Sequence, residues 1–296
     1  MLKTRLDKEN TLYCSGLFLS ARWFVLSTEA PEGVNLVILP DKESAQYCTS
    51  DLYQLVEGDR VFLLPSSGKG VERSNYKSSI SVQRTAALSA ILRNKGEQVF
   101  IVASPDSLEE KVPAPGRLEG AVLTLSKGQE ISFDSIIAKL GEKGFDRVDF
   151  VSAPGQYSIR GSLVDIFSYS NNEPYRISFW GNEIEAISIF DCNTQISKES
   201  IDSVEITGGE LSEEDSEGCS LLSILPAGST LWLDSADLYK DAEFYPATAA
   251  FRRVFLQIPV GMKVEDPEKY HISPQPRFNK NFELLEEDTP GGAGLS

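Results

Sequence analysis

Three short apolar runs, VNLVILP (34–40), RVFLLP (60–65) and QVFIVAS (98–104), are separated by segments that read as helices. This rhythm constrains the fold most, because buried strands joined by helical crossovers form a mainly parallel sheet. The first connector, DKESAQYCTSDLYQLV, takes Asp41 as its cap. The second, SVQRTAALSAILRN (81–94), takes Ser81 as cap and places Val82, Ala86, Leu88 or Ser89, and Leu92 near one face.

The pattern changes after Leu125. SFDSIIAKLGEKG (132–144) is an amphipathic helix with Ser132 at its cap and Gly144 just past its end. From Arg147 to Ile206 the apolar residues then alternate with period two, broken at Pro154-Gly155, Gly161-Ser162, Ser170-Asn171-Asn172 and Gly181-Asn182. That spacing predicts antiparallel hairpins and a separate β-rich unit. After an acidic loop at 208–217 a mixed pattern returns in SLLSIL, STLWLD (229–234), SADLYKD and FRRVFLQI (251–258), too short to stand as an independent core. The end of the chain, from SPQPRF onward, reads as extended and then flexible, like a linker or the cut end of something longer.

Composition narrows the functions. With 296 residues, 41% of them hydrophobic, the chain can bury two or three compact units. No apolar stretch approaches the roughly 18 residues that span a bilayer, and MLKTRLDKENTLY lacks a signal-peptide core. A cytoplasmic protein without membrane contact is expected. Cys14, Cys48, Cys192 and Cys219 lie far apart, and His271 is the sole histidine, so neither a metal site nor a disulfide framework is indicated and reduced, mostly buried thiols are expected. The net charge of −16 gathers in acidic clusters, Glu210 to Glu217 and Glu283 to Asp288, which argues against autonomous DNA binding.

Two constellations resemble sites. In PYRISFW (174–180), alternation puts Tyr175, Ile177 and Phe179 on one face and Arg176, Ser178 and Trp180 on the other. In QYSIR, Tyr157 and Ile159 turn to the core and Arg160 joins the opposite face. Two arginines and a tryptophan on one surface have the composition of a protein-binding hot spot. The plainer alternative pairs the arginines with Glu183, Glu185 or Asp165 and lays Trp180 over a hydrophobic edge.

The second constellation is Gly16 to Trp23, GLFLSARW, which fits the frame GxxxxGK[ST] of a phosphate-binding loop at Gly16 alone. The positions that need glycine, lysine and a hydroxyl for magnesium hold Ala21, Arg22 and Trp23. Tryptophan cannot ligate magnesium and its bulk would fill the phosphate space. The run QVFIVAS ends in Pro105 instead of an acidic pair. ATP hydrolysis and any nucleotide or metal cofactor are therefore not expected.

Residues Val151 to Ile206 closely resemble the UvrB-homologous module of the bacterial transcription-repair coupling factors. The pattern GE[FY]xxRGGxxDIFP followed by PYRxxFFxDEIxSxxxFDxxTQ is met in register by Gly155, Tyr157, Arg160, Gly161, Asp165, Ile166, Phe167, Pro174, Tyr175, Arg176, Phe179, Glu183, Ile184, Phe190, Asp191, Thr194 and Gln195. Trp180 stands where phenylalanine is commoner, Gln156 where glutamate is, and Asn182 where aspartate is. SGLFLSARW looks like that family's degenerate nucleotide loop, whereas its tryptophan- and tyrosine-rich loop survives in 66–80 only as Tyr76.

The resemblance implies an α/β fold: a split parallel-sheet domain resembling a degenerate P-loop, helicase-like domain, interrupted by a β-rich (α+β) domain that binds UvrA. The expected boundaries are 1–123 and 208–285 for the two parts of the split domain, 124–207 for the UvrA-binding domain and 286–296 for a flexible tail. It implies a non-catalytic adaptor in transcription-coupled nucleotide excision repair, with Arg160, Arg176 and Trp180 as the UvrA contacts. RNA polymerase, DNA and an intramolecular C-terminal domain that can cover this surface are implied for the longer family chains, which are ATP-dependent DNA translocases. The absence of motor motifs suggests that this chain is a piece of such a protein. A nucleotide-binding or DNA-binding helicase-related domain is the alternative.

Overall fold

The computed structural model describes residues 2–67, 74–120, 122–171, 173–209 and 218–272. The acidic clusters at 210–217 and 283–288, the side chain of Tyr76 and the tail 286–296 lie outside the described residues.

The chain opens with helix α1 (Leu2–Leu6), strand β1 (Thr11–Ser15), α2 (Ala21–Glu29), β2 (Val34–Ile38), α3 (Lys42–Leu55), β3 (Val61–Leu64), α4 (Ser74–Leu92) and β4 (Val99–Ala103). All five residues of β2 and of β4 are buried, as strands covered by helices on both faces require. Asp41 caps α3 by accepting the Ser44 amide at 2.7 Å. The α4 helix differs from its sequence reading: it starts at Ser74, so Ser81 is an interior residue and not a cap. The polar stretch SNYKSS masks that start, because the first residue shown to be buried on the helix is Ile80. The buried face is Ile80, Arg84, Ala87, Leu88 and Ile91, while Val82 and Leu92 are only partly buried, packing against two different cores.

The β-rich module follows, with β5 (Val122–Ser126), β6 (Asp146–Arg147), β7 (Gln156–Arg160), β8 (Leu163–Phe167), β9 (Tyr175–Trp180), β10 (Glu183–Phe190), β11 (Ser197–Ile201) and β12 (Ser203–Thr207). Strands β6 to β11 form one sheet in sequential order, antiparallel except at β6–β7. The helix Phe133–Glu142, capped by the Ser132 hydroxyl on the Ser135 amide, covers the inner face of this sheet through Ile136 and Leu140. Strands β5 and β12 pair with each other, bringing together the segments by which the chain enters and leaves the module.

The chain then returns to the first sheet with β13 (Thr230–Ser235), β14 (Arg252–Gln257) and β15 (Glu268–Lys269). The completed sheet has seven strands in the order β15-β1-β14-β13-β2-β4-β3, with every pairing parallel. This is why the segments after the acidic loop could not be read as a core of their own: β13 and β14 fill the gap between β1 and β2. At that junction the Trp232 indole N–H donates to Asn35 Oδ1 at 3.0 Å, and the Asn35 amide donates to the carbonyls of Pro31 and Gly33. Both side chains are fully buried, so the pair satisfies polar atoms that would otherwise be costly. Arg93, just past α4, pairs with Glu205 of β12 at 2.8 Å and links the two sheets' units.

Candidate functional site

The inner face of the six-stranded sheet carries Tyr157, Ile159, Val164, Ile166, Tyr175, Ile177 and Phe179, and period two therefore puts Ser158, Arg160, Asp165, Arg176, Ser178 and Trp180 on the outer face. The sequence-based division of faces holds for all three named residues.

The outer face is not simply solvated. Its neighbouring row Ser158, Asp165, Arg176 is set by register, since Asp165 lies opposite both Ser158 and Arg176. The Asp165 carboxylate is fully buried, and both arginines converge on it. Arg176 donates from Nε to Oδ1 at 2.7 Å and from Nη2 to Oδ2 at 3.0 Å, while Arg160 donates from Nη2 to Oδ2. Of the three acidic partners considered from sequence, Asp165 takes both arginines. The hydrogen bonds to Asp165 hold the Arg176 guanidinium above its ordinary range, outweighing its partial desolvation.

Gln195 closes the cluster. Its carbonyl accepts Arg176 Nη1 at 3.1 Å, its side-chain oxygen accepts Arg160 Nη2 at 3.4 Å, and its amide donates to the carbonyls of Cys192 and Val151 at 2.7 and 3.3 Å. The residue sits at φ +60°, an uncommon region for a non-glycine side chain, at the end of a turn held by Asp191. Asp191 Oδ1 accepts the amides of Asn193 and Thr194, and these bonds push its carboxyl below the ordinary range. Beneath the turn a small second core of Val151, Phe167 and Phe190 seals this end of the face. Arg176 lies over the Phe190 ring at 4.7 Å, and Arg160 over the Phe150 ring at 5.5 Å.

The two arginines are unequal. The Arg160 side chain is 33% exposed and that of Arg176 14%. Arg160 Nη1 makes no hydrogen bond among the described residues, so Arg160 is the better placed to meet an outside carboxylate.

Trp180 stands at the far end of β9, about 13 Å from Arg176 at the usual rise per strand residue. It is 77% exposed and walls a groove of about 760 Å³ shared with Lys127, Gly128, Glu183, Ile184, Glu185 and Asp202. None of Glu183, Glu185 and Asp202 has an ion pair among the described residues. The structure thus brings Arg160 and Arg176 together and leaves Trp180 on the same face but apart from them. Phe150, exposed beside Arg160, was missed by sequence reasoning, because the alternation read from Arg147 groups it with Val148 although the chain leaves strand geometry after Arg147.

The loop after β1 has the strand–loop–helix context of a phosphate site, but the amides at its helical end and the Arg22 side chain are already engaged. The amides of Ala21 and Arg22 bond the carbonyls of Phe18 and Leu19 at 3.1 and 3.3 Å. Arg22 donates from Nη1 to Asp234 at 2.6 Å and from Nε to the Leu19 carbonyl at 3.2 Å. Trp23 does not occupy the phosphate space as its bulk suggested; it is buried in the core under α2. Gly16, at φ +80°, packs so closely on the backbone of Tyr270 that an added Cβ would lie 2.0 Å from the Tyr270 carbonyl oxygen. Among the described residues no cluster of His, Cys, Asp and Glu could hold a metal, and no helix is long and apolar enough to cross a membrane.

Residues 123–210 match the family described as the UvrB interaction domain. The chain is 29% identical over 195 residues to the transcription-repair-coupling factor of Bacillus subtilis (strain 168), an alignment that covers 65% of this chain and 16% of that protein. It is 33% identical over 190 residues to the protein of the same name from Mycobacterium tuberculosis (strain CDC 1551 / Oshkosh), covering 62% and 15%. Against the Escherichia coli (strain K12) protein the identity is 27% over 143 residues, covering 48% and 12%. The aligned region thus spans only about a sixth of the first of these relatives. Both comparisons bear out the resemblance to the UvrB-homologous region of transcription-repair coupling factors.

Proposed function

We propose, from the premise that residues 123–210 form a UvrB interaction domain, that this chain is a non-catalytic recruitment module of transcription-coupled nucleotide excision repair and that its partner is UvrA. The observation that carries the reading is the outer face of the six-stranded sheet, where a buried carboxylate holds two arginines in fixed positions on the same surface as an exposed tryptophan. Preorganised arginines cost little side-chain entropy on binding, and exposed aromatic residues contribute disproportionately to interfaces.

Arg160 meets a carboxylate of UvrA with its free Nη1, Arg176 supports it, and Trp180 makes a second contact at the far end of β9. The engagement of the Ala21 and Arg22 amides and of the Arg22 side chain, together with the close packing of Gly16 on Tyr270, favours an adaptor over a nucleotide-dependent enzyme. In longer family chains the motor, the RNA polymerase contact, DNA binding and a masking C-terminal domain would lie elsewhere.

The test is calorimetric titration of UvrA with the wild type and with Arg160→Ala and Trp180→Ala. Each substitution should weaken binding by about 30-fold or more, from the roughly 2 kcal/mol typical of a hot-spot truncation. Wild-type affinity in both variants would sink the assignment.

A further inference from the structure

We infer that the recognition face does not end at the arginines but continues over Phe150 and Ile196, which form its apolar anchor and receive an apolar side chain from an acidic segment of the partner. The inference rests on the UvrA-recruitment reading above and deepens it by stating the chemistry of the segment that docks.

Phe150 is 61% exposed and Ile196 65%, and neither belongs to a hydrophobic core cluster among the described residues. They are tied to one spot by Gln195, whose amide donates to the carbonyl of Val151, next to Phe150, while Ile196 follows Gln195 in the chain. Beneath both sides of this link lie the buried Val151 and Phe190 with the half-buried Cys192, so the support is packed and does not need to rearrange. The Arg160 guanidinium lies over the Phe150 ring, which joins the cationic and apolar parts of the patch into one surface.

Charge decides the occupant. At this end the face offers the free Nη1 of Arg160 over Phe150, with Ile196 in the adjoining turn whose Asp191 is already paired with Lys198, whereas the end at Trp180 sets Glu183, Glu185 and Asp202 against the single Lys127. A segment with carboxylates beside an apolar residue fits the arginine end and is repelled by the other. Its apolar residue replaces water on Phe150 and Ile196, and desolvating that patch strengthens the neighbouring charge pair.

The experiment measures UvrA affinity for Phe150→Ala and Ile196→Ala beside wild type and Trp180→Ala, with thermal unfolding as a check on the fold. Phe150→Ala and Ile196→Ala should each weaken binding about 5-fold or more with unchanged unfolding temperature and unchanged salt dependence, because no charge is removed. Wild-type affinity in both, with wild-type protein still binding UvrA and Trp180→Ala impaired, overturns the anchor and leaves the recruitment reading standing. A loss in Phe150→Ala that disappears in an Arg160→Ala background, together with no effect of Ile196→Ala, also overturns it, since Phe150 would then only position the arginine. Failure of the wild type to bind UvrA overturns both.

Discussion

Arg176 grips Asp165 with two parallel hydrogen bonds, Nε to Oδ1 at 2.7 Å and Nη2 to Oδ2 at 3.0 Å, on a carboxylate with no solvent exposure. A bidentate pair of this geometry is directional as well as strong, and here it sets the plane in which Arg160 must approach the remaining side of the same carboxylate. One buried negative charge therefore orders two cations, and the surface displays a net positive charge whose position is fixed before any partner arrives.

Asp165→Ala should consequently be the most destabilising single change on this face. It leaves two half-buried guanidinium groups without their counterion, a situation that typically costs about 3–5 kcal/mol. Asp165→Asn keeps the shape and some hydrogen bonding, so it should cost less. Urea unfolding of the two variants measures the difference; an Asp165→Ala loss below about 1 kcal/mol would mean that the cluster is ornamental to stability.

The two arginines should separate in their effects. Removing Arg160 leaves the bidentate Arg176–Asp165 pair in place, whereas removing Arg176 leaves the buried carboxylate with a single donor. Arg160→Ala should therefore weaken UvrA binding with little change in unfolding temperature. Arg176→Ala should lower both, with a stability loss of about 2 kcal/mol or more for the exposed deficit of a buried charge. Equal unfolding temperatures for the two variants would contradict this division.

The β2, β3 and β4 strands of the seven-stranded sheet could be read from the sequence because they are short unbroken apolar runs, a signal that survives without knowing the partners. The division of faces in β9 was equally legible, since Tyr175, Ile177 and Phe179 alternate with Arg176, Ser178 and Trp180 without interruption. Alternation carries no information on what a side chain reaches. It could not show that Asp165, and not Glu183 or Glu185, takes both arginines, because that depends on cross-strand register. Nor could it place Phe150, which lies where the chain has left the short β6 strand and period two no longer assigns a face. The start of α4 was missed for a related reason: its first turns carry no apolar repeat from which a helix could be recognised.

Restoring the lysine and hydroxyl of the nucleotide-loop motif, with Ala21 left in place of its glycine, should not restore nucleotide binding. The double change Arg22→Lys with Trp23→Ser replaces the two-point Arg22 contact to Asp234 and the Leu19 carbonyl by a single ammonium and deletes a buried core tryptophan, at a cost of about 3–5 kcal/mol for the tryptophan alone. The amides of Ala21 and Arg22 remain committed to Phe18 and Leu19. Fluorescent ATP titration should show no magnesium-dependent micromolar binding for the wild type or the double variant, and unfolding should show the variant destabilised. Tight, magnesium-dependent binding by either would return the loop to function.

The thiols give a test of the core that is independent of any partner. Cys14 and Cys48 are buried in the parallel-sheet unit, and burial pushes the Cys14 thiol from 9.0 up to about 12 and the Cys48 thiol up as well. Because the thiolate is the reactive form, a thiol reagent at pH 8 should modify the partly exposed Cys219 and, more slowly because burial raises its thiol too, Cys192, and reach the other two only after denaturation. The same shift has a sign for stability. Cys14 and Tyr169, whose phenol rises from 10.0 to about 12, hold their protons more tightly folded than unfolded. Their contribution is fully present below pH 9 and is lost as pH climbs from about 9 towards 12, where the unfolded chain has released protons that the folded one retains. Denaturation midpoints should therefore fall across that interval. A Cys14→Ser variant bears on the thiol term only if its fold is intact, whereas Tyr169→Phe removes the phenol while keeping the ring against Phe145 and should flatten part of the decline. An unchanged alkaline slope in Tyr169→Phe would show that its burial does not contribute to the linkage.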